Sequence, residues 1–224
     1  MSERGQGLID DLFSAGDARS SWPERLGPGS VLLHGFALLQ ADELWAGIGT
    51  VLAAAPLRHM QTAGGYSLSV AMSNCGSLGW LSDRAGYRYT TLDPLSAQAW
   101  PIMPTMFAGL AERAAAVAGF PGFVPDACLI NRYAPGSRMA LHQDRDERDF
   151  AWPIVSVSLG LPAVFLFGGA QRSETALRIL LEHGDVLVWG GADRLRFHGI
   201  MPIKAGCHAL TGPYRINLTF RKAQ

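Results

Sequence analysis

Tyr214-Arg-Ile-Asn-Leu-Thr-Phe-Arg221 decides the fold. Arg215, Asn217, Thr219 and Arg221 alternate with Ile216, Leu218 and Phe220, and this strict period of two predicts a β-strand with one polar and one apolar face. An edge strand with a wet polar face would satisfy the pattern without a ligand. Two guanidiniums on the inner face of a barrel would instead demand anionic partners, because an unpaired buried charge is too costly to keep. A dicarboxylate with one carboxylate per arginine supplies them through bidentate, charge-assisted bonds.

Upstream of this strand the chain breaks into short apolar or alternating runs separated by turn residues: 127–133, 139–143, 154–159, 164–167, 176–181, 186–189, 194–198 and 208–210. Many short strands at such spacing predict a barrel or jelly roll rather than a βαβ sheet. The first half reads differently. Residues 42–55 have helical periodicity, with Asp42 as the expected N-cap, Leu44, Trp45, Ile48, Val51 and Leu52 inward, and Pro56 as the stop. A second helix is expected from about 104 to 118, with proline in its first turn and Gly119 ending it. Between them, 61–92 carry Gly64-Gly65 and the aromatics Tyr66, Trp80, Tyr87 and Tyr89, a composition suggesting a flap more than core. The expected organisation is an N-terminal segment (1–60) whose helix packs on the core, a lid (61–92), and a helix plus barrel (93–224). The fold class is α+β, mainly β.

Composition limits the function. The 224 residues are 48% hydrophobic and 17% charged, a globular chain long enough to bury a substantial core. Nineteen basic residues balance nineteen acidic ones, which argues against a broad, sequence-blind electrostatic grip on nucleic acid. Cys75, Cys128 and Cys207 are far apart, odd in number and in no C-x-x-C, so neither a disulfide framework nor a zinc finger is indicated and a reducing cytoplasm is expected. The first residues have no apolar signal core, and the most apolar stretch, 153–167, is interrupted by Pro, Ser and Gly, so neither secretion nor a membrane span is expected.

His142-Gln143-Asp144 adds chemistry. Residues two apart on an extended strand project from one face, so His142 and Asp144 can share a metal. Two His and one carboxylate leave coordination positions open, which suits a non-haem Fe(II) oxygenase better than a closed zinc site. The third ligand can come from several places. His34 and His59 precede the barrel, His183 lies in a Glu-His-Gly-Asp turn, and spacing prefers His198 over His208 without deciding between them.

From about residue 62 onward the sequence resembles the AlkB family of alkylation-damage repair dioxygenases, within the Fe(II)- and 2-oxoglutarate-dependent oxygenases. The resemblance runs through Gly64-Gly-Tyr-Ser-Leu-Ser-Val-Ala-Met72, Asn74-Cys-Gly-Ser-Leu-Gly-Trp80, Pro125-Asp-Ala-Cys-Leu-Ile-Asn-Arg-Tyr-Ala-Pro-Gly136, Leu141-His-Gln-Asp-Arg-Asp-Glu147, Leu181-Glu-His-Gly-Asp185 and Arg215-x-Asn-Leu-Thr-Phe-Arg221. The first sixty residues match poorly. It implies a double-stranded β-helix (jelly roll) with N-terminal helices and a nucleotide-recognition lid, and it implies His142, Asp144 and His198 as iron ligands. Around 2-oxoglutarate it implies Asn131, Tyr133 and Arg215 at the far carboxylate, Arg221 at the chelating end and Asn217 in support. Thr62, Met72, Trp80, Tyr87, Asp146 and Arg172 are the implied substrate-binding residues, with Trp80 and Tyr87 stacking on an extruded base and Asp146 reading its amino edge. Arg138, Arg145, Arg148 and Arg172 are expected near phosphates. The implied reaction uses Fe(II), 2-oxoglutarate and O2 to demethylate 1-methyladenine and 3-methylcytosine in single- or double-stranded DNA, with RNA a further substrate, releasing formaldehyde, succinate and CO2. A monomer is expected. The alternative is a 2-oxoglutarate-dependent hydroxylase or demethylase acting on a protein side chain or a small metabolite, from which the lid alone separates a repair enzyme.

Overall fold

A computed structural model describes residues 23–224. In chain order the elements are β1 (Glu24–Gly27), β2 (Ser30–Leu33), α1 (Ala41–Ala54), β3 (Arg58–Gln61), β4 (Ser67–Gly76), β5 (Gly79–Asp83), β6 (Gly86–Thr90), α2 (Thr105–Val117), β7 (Ala127–Tyr133), β8 (Met139–His142), β9 (Ile154–Gly160), β10 (Ala163–Phe167), β11 (Leu177–Leu181), β12 (Val186–Trp189), β13 (His198–Ile200) and β14 (Arg215–Arg221). Eight strands form a major sheet in the order β1-β2-β12-β9-β14-β7-β4-β3, and four form a minor sheet in the order β11-β10-β13-β8. Among the described residues, β5 and β6 pair only with each other.

Two apolar layers hold this together. On one face of the major sheet, Ile216, Leu218, Phe220, Val155 and Val157 pack with Leu44, Ile48 and Val51 of α1 and Phe107, Leu110 and Ala114 of α2. On the other face, Met72, Leu129, Leu187 and Trp189 meet Phe165, Phe167, Ile179 and Ile200 of the minor sheet. β14 lies between β9 and β7, and all seven of its residues are buried. The edge-strand reading of its polar face therefore fails. Each of its three large apolar residues contributes roughly 1.5–3 kcal/mol by burial, and that anchorage allows the opposite face to be polar inside the molecule.

The two helices fall where periodicity puts them, with shifted caps. α1 begins at Ala41, so Asp42 is not its N-cap but sits with Glu43 in the first turn, where negative charge complements the helix dipole. Pro104 occupies the N-cap of α2, and Gly119, at φ 97°, follows its end.

The segment 61–92 divides. β4 is buried from Val70 to Cys75 and pairs with β7 inside the major sheet, whereas the β5–β6 hairpin enters neither sheet's ladder and packs against β4 and β3 through Asn74, Gln61 and Leu81. β1 and β2 extend the other end of the major sheet by pairing with β12, a role that residues 24–33 did not announce. Residues 194–198 do not form the expected strand. Gly191–Asp193 is a 3-10 turn and β13 starts at His198, because the side chains of Arg194 and Arg196 bind main-chain carbonyls at Trp152, Asp144 and Gly168 rather than alternating across a sheet. At 208–210 there is only an isolated bridge between His208 and Gly212. No helix among the described residues is long and apolar enough to cross a membrane.

Candidate active site

His142 closes β8 and His198 opens β13, and the two are direct cross-strand partners with ring centroids 4.4 Å apart. Asp144 follows β8 and turns back toward them. One ligand atom from each of His142, Asp144 and His198 lies within 4.8 Å of the others, the group among the described residues able to hold a metal ion. Asp144 Oδ1 faces His142 Nε2 at 3.5 Å and His198 Nε2 at 3.8 Å. The Nδ1 atoms point away, toward the carbonyls of Ala140 at 2.9 Å and Arg196 at 3.0 Å. A carbonyl can only accept, so each Nδ1 carries the proton and each Nε2 offers its lone pair to the shared space. His208 and His183 lie together elsewhere, with ring centroids 4.3 Å apart.

Charge and burial around the triad hold Asp144 ionised and His198 neutral, the forms that bind a metal. Burial alone would push the Asp144 carboxyl up, but Arg221, His142 and His198 outweigh it and hold the group well below the usual carboxylate range. Burial, with His142 adding to it, lowers His198 to about 4, so it is neutral at physiological pH. Trp189 and Phe165 supply that apolar wall, with ring centroids 5.1 and 5.9 Å from the His198 ring. For His142, burial lowers the pKa but the bond to Asp144 raises it further, and the net shift is upward.

The two tail arginines have different surroundings. Arg221 donates to Asp144 Oδ2 from Nε at 3.0 Å and Nη2 at 2.6 Å, and its Nε is 3.2 Å from Glu147 Oε1. Arg215 is 1% exposed, and its Nε and Nη1 have no hydrogen-bond partner among the described residues. Burial lowers its pKa to about 10. Tyr133 lies under it, 5.7 Å from guanidinium carbon to ring centroid, and the Oδ1 of Asn131 also has no hydrogen-bond partner among the described residues. Asn217 is held by Asn131, Thr219, Ser156 and the Val157 carbonyl. A buried cation with idle donors is unstable unless an anion completes it.

The lid is tied to the segment after the metal motif at two points. Trp80 Nε1 donates to Asp146 Oδ2 at 2.7 Å, and Tyr89 Oη donates to Glu147 Oε1 at 2.8 Å. Glu147 is itself clamped by Arg194 at 3.0 Å, and Arg194 also donates to the main-chain oxygen of Asp144. Trp80 and Tyr87 stack across β5 and β6 with centroids 5.7 Å apart.

One cavity of about 420 Å³ joins these parts. Thr62, Met72, Trp80, Tyr87, Asn131, Tyr133, His142, Asp144, Asp146, Arg172, His198, Arg215, Asn217 and Arg221 all line it. Arg138, Arg145 and Arg148 are exposed and do not. Ser156, Thr219 and Trp189 line it as well. Thr219 was legible from the same alternation that exposed Arg215, whereas Glu147 carries no sequence signal separating it from a solvated carboxylate.

Residues 29–221 match the family model described as the 2OG-Fe(II) oxygenase superfamily. This chain belongs to that superfamily. The oxygenase is similar to the alpha-ketoglutarate-dependent dioxygenase AlkB of Escherichia coli, at 56% identity over 213 residues, covering 95% of this chain and 97% of that protein. This similarity extends well before residue 62, so the first sixty residues share more with relatives than their sequence suggested. It is 44% identical over 114 residues to the DNA N(6)-methyladenine demethylase ALKBH1D of Arabidopsis thaliana, covering 45% of this chain and 25% of that one. The solved structure of OsALKBH1 superposes with a TM-score of 0.77 at 30% identity, covering 89% of this chain and 99% of that chain. The oxygenase is an Fe(II)- and 2-oxoglutarate-dependent dioxygenase with the jelly-roll fold of its superfamily. Its residues fit the cofactors: the triad offers two imidazole nitrogens and a carboxylate oxygen on one side of an open cavity, and the idle donors of Arg215 await a carboxylate.

Proposed function

We propose that this dioxygenase oxidatively demethylates N-alkylated bases such as 1-methyladenine and 3-methylcytosine in DNA, with RNA a further substrate, releasing formaldehyde and leaving succinate and CO2 from 2-oxoglutarate. The observation that carries this reading is the single cavity in which the His-Asp-His cluster, the buried Arg215 and the Trp80–Tyr87 pair meet. Bound Fe(II), with 2-oxoglutarate and O2, supplies the oxidation of a C–H bond next to a ring nitrogen.

His142, Asp144 and His198 would hold the metal, and Arg221, bonded to Oδ2, keeps Asp144 ionised and leaves Oδ1 free to serve as its ligand atom. Arg215, with Tyr133 and Asn131, receives the far carboxylate of 2-oxoglutarate, and Asn217 braces that pocket. Arg221 faces the chelating end while retaining its protein carboxylates. Trp80 and Tyr87 offer aromatic surface to a base taken out of the stack, Asp146 presents an acceptor for an exocyclic amine, and Thr62, Met72 and Arg172 complete the mouth. The balanced net charge supports a grip made of a few phosphate contacts, with Arg172 at the cavity. Three free cysteines among the described residues support a reducing cytoplasm as its location.

The test is formaldehyde release from a panel of methylated oligonucleotides supplied with Fe(II) and 2-oxoglutarate. Release from 1-methyladenine and 3-methylcytosine is expected. Turnover of 2-oxoglutarate stimulated by methylated peptides or metabolites, but by no oligonucleotide, would replace this reading with the hydroxylase alternative.

A further inference from the structure

The end of β9 opposite Arg215 is held by an imidazole. Gly160 is the cross-strand partner of Arg215, yet its N–H is directed to Nδ1 of His183 at 3.0 Å. The backbone there has no freedom to rearrange around a larger residue: Gly160 has φ 83°, and a Cβ on it would lie 2.0 Å from Thr211 Oγ1 and 2.5 Å from the Tyr214 carbonyl. His208 packs against His183 with ring centroids 4.3 Å apart, and its own Nδ1 accepts the N–H of Leu210 at 3.2 Å. His208 and Gly212 exchange two main-chain bonds of 2.8 Å, closing the loop that leads through Thr211 and Tyr214 into Arg215. The two histidines therefore clasp the strand end on one side of Arg215 and the loop that delivers it on the other. Both Nδ1 atoms accept, so both protons sit on Nε2, and neither ring is arranged as a metal ligand through Nδ1.

We propose that His183, backed by His208, is a positioning residue for 2-oxoglutarate: by accepting the Gly160 N–H it fixes the backbone that aims Arg215 at the far carboxylate. The inference rests on the reading of Arg215 as the carboxylate anchor. Protonating His183 removes its acceptor, so the clasp opens in acid. The groups facing it are His208 from the opposing loop, Asp42 from α1 and Asp185 from its own turn. Burial, then His208, lowers its pKa against the opposing pull of the two aspartates, so the neutral form is present at physiological pH.

The test is calorimetric titration of 2-oxoglutarate into the Mn(II)-loaded, full-length enzyme. His183→Leu is expected to weaken 2-oxoglutarate about fivefold, the worth of one main-chain hydrogen bond. His183→Asn places an amide oxygen where Nδ1 stood and is expected to restore affinity to within about twofold, and in steady state the His183→Leu defect should fall on KM and spare kcat. If His183→Leu does not fold, the wild-type and His183→Asn proteins decide the matter: as pH falls below about 6.5, through the lowered His183 pKa, the wild type should lose affinity more steeply. Parallel pH curves, or a His183→Leu protein that binds 2-oxoglutarate as the wild type does, would overturn the clasp. Normal 2-oxoglutarate affinity in Arg215→Met would instead remove the anchor reading beneath it, so the two failures are distinguishable.

Discussion

Replacing Arg215 with methionine should move stability and ligand binding in opposite directions. The guanidinium is 1% exposed, has two idle donors and is held by burial at a pKa of about 10. Because the folded-state value lies below the ordinary arginine value, the unfolded chain holds this proton more tightly. The resulting penalty is present in full at every pH below about 10 and is relieved only in strong alkali, and it amounts to roughly 3 kcal/mol. Methionine fills a similar volume without the charge, so Arg215→Met should stabilise the ligand-free protein by roughly 1–4 kcal/mol, which at this chain length raises Tm by roughly 2–4 °C per kcal/mol. The same change removes the partner of a buried carboxylate and should weaken 2-oxoglutarate by roughly 3–5 kcal/mol, about a hundredfold to a few thousandfold in Kd. Thermal unfolding with and without 2-oxoglutarate reads both effects in one experiment: the variant should start higher and gain nothing from the ligand. A variant that starts lower and still gains the full wild-type increment would refute the reasoning.

His142→Ala, Asp144→Ala and His198→Ala should each abolish Fe(II)-dependent turnover with the far-ultraviolet circular dichroism unchanged, and retained 2-oxoglutarate decarboxylation in any of them would exclude that residue as a ligand. Trp80→Ala should cost roughly 1–3 kcal/mol in demethylation through lost stacking while uncoupled decarboxylation persists. Asp146→Ala should in addition blur the choice between bases with and without an amino edge, and wild-type repair kinetics in both variants would show that the hairpin does not read the base. Asp144 is held below the ordinary carboxylate range in the fold, so its contribution is present above pH about 4 and is lost as pH falls further. The metal-free protein should show an acid-labile component of stability that Asp144→Asn lacks, measured by urea unfolding at stepped pH.

The tail was legible because its pattern had two readings with opposite costs. A period of two placed Arg215, Asn217, Thr219 and Arg221 on one face, and the structure decides between wet edge and buried interior by setting β14 between β9 and β7. The His-x-Asp motif was equally readable, since a strand end fixes which side chains converge. Three things were hidden. The shift of β13 to His198 depends on Arg194 and Arg196 reaching carbonyls far along the chain, an override that local alternation cannot register. The burial of β4 was masked by its glycine-rich, aromatic neighbours: Val70-Ala-Met-Ser-Asn-Cys75 reads as unremarkable until β7 covers one edge and β3 the other. Pairing of Arg221 with Asp144 and Glu147 was likewise invisible in the sequence.

The bonds from Trp80 to Asp146 and from Tyr89 to Glu147 make the β5–β6 hairpin a poor candidate for modular exchange. Both acceptors lie within three residues of Asp144, and one of them shares Arg221 with it. A graft that imports a foreign hairpin alone would take the indole donor from Asp146 and the phenol donor from the buried Glu147, leaving Glu147 to Arg194 and Arg221 alone beside the metal site. Anyone re-engineering the substrate range of this scaffold should therefore move the hairpin and residues 146 and 147 as one inheritance unit.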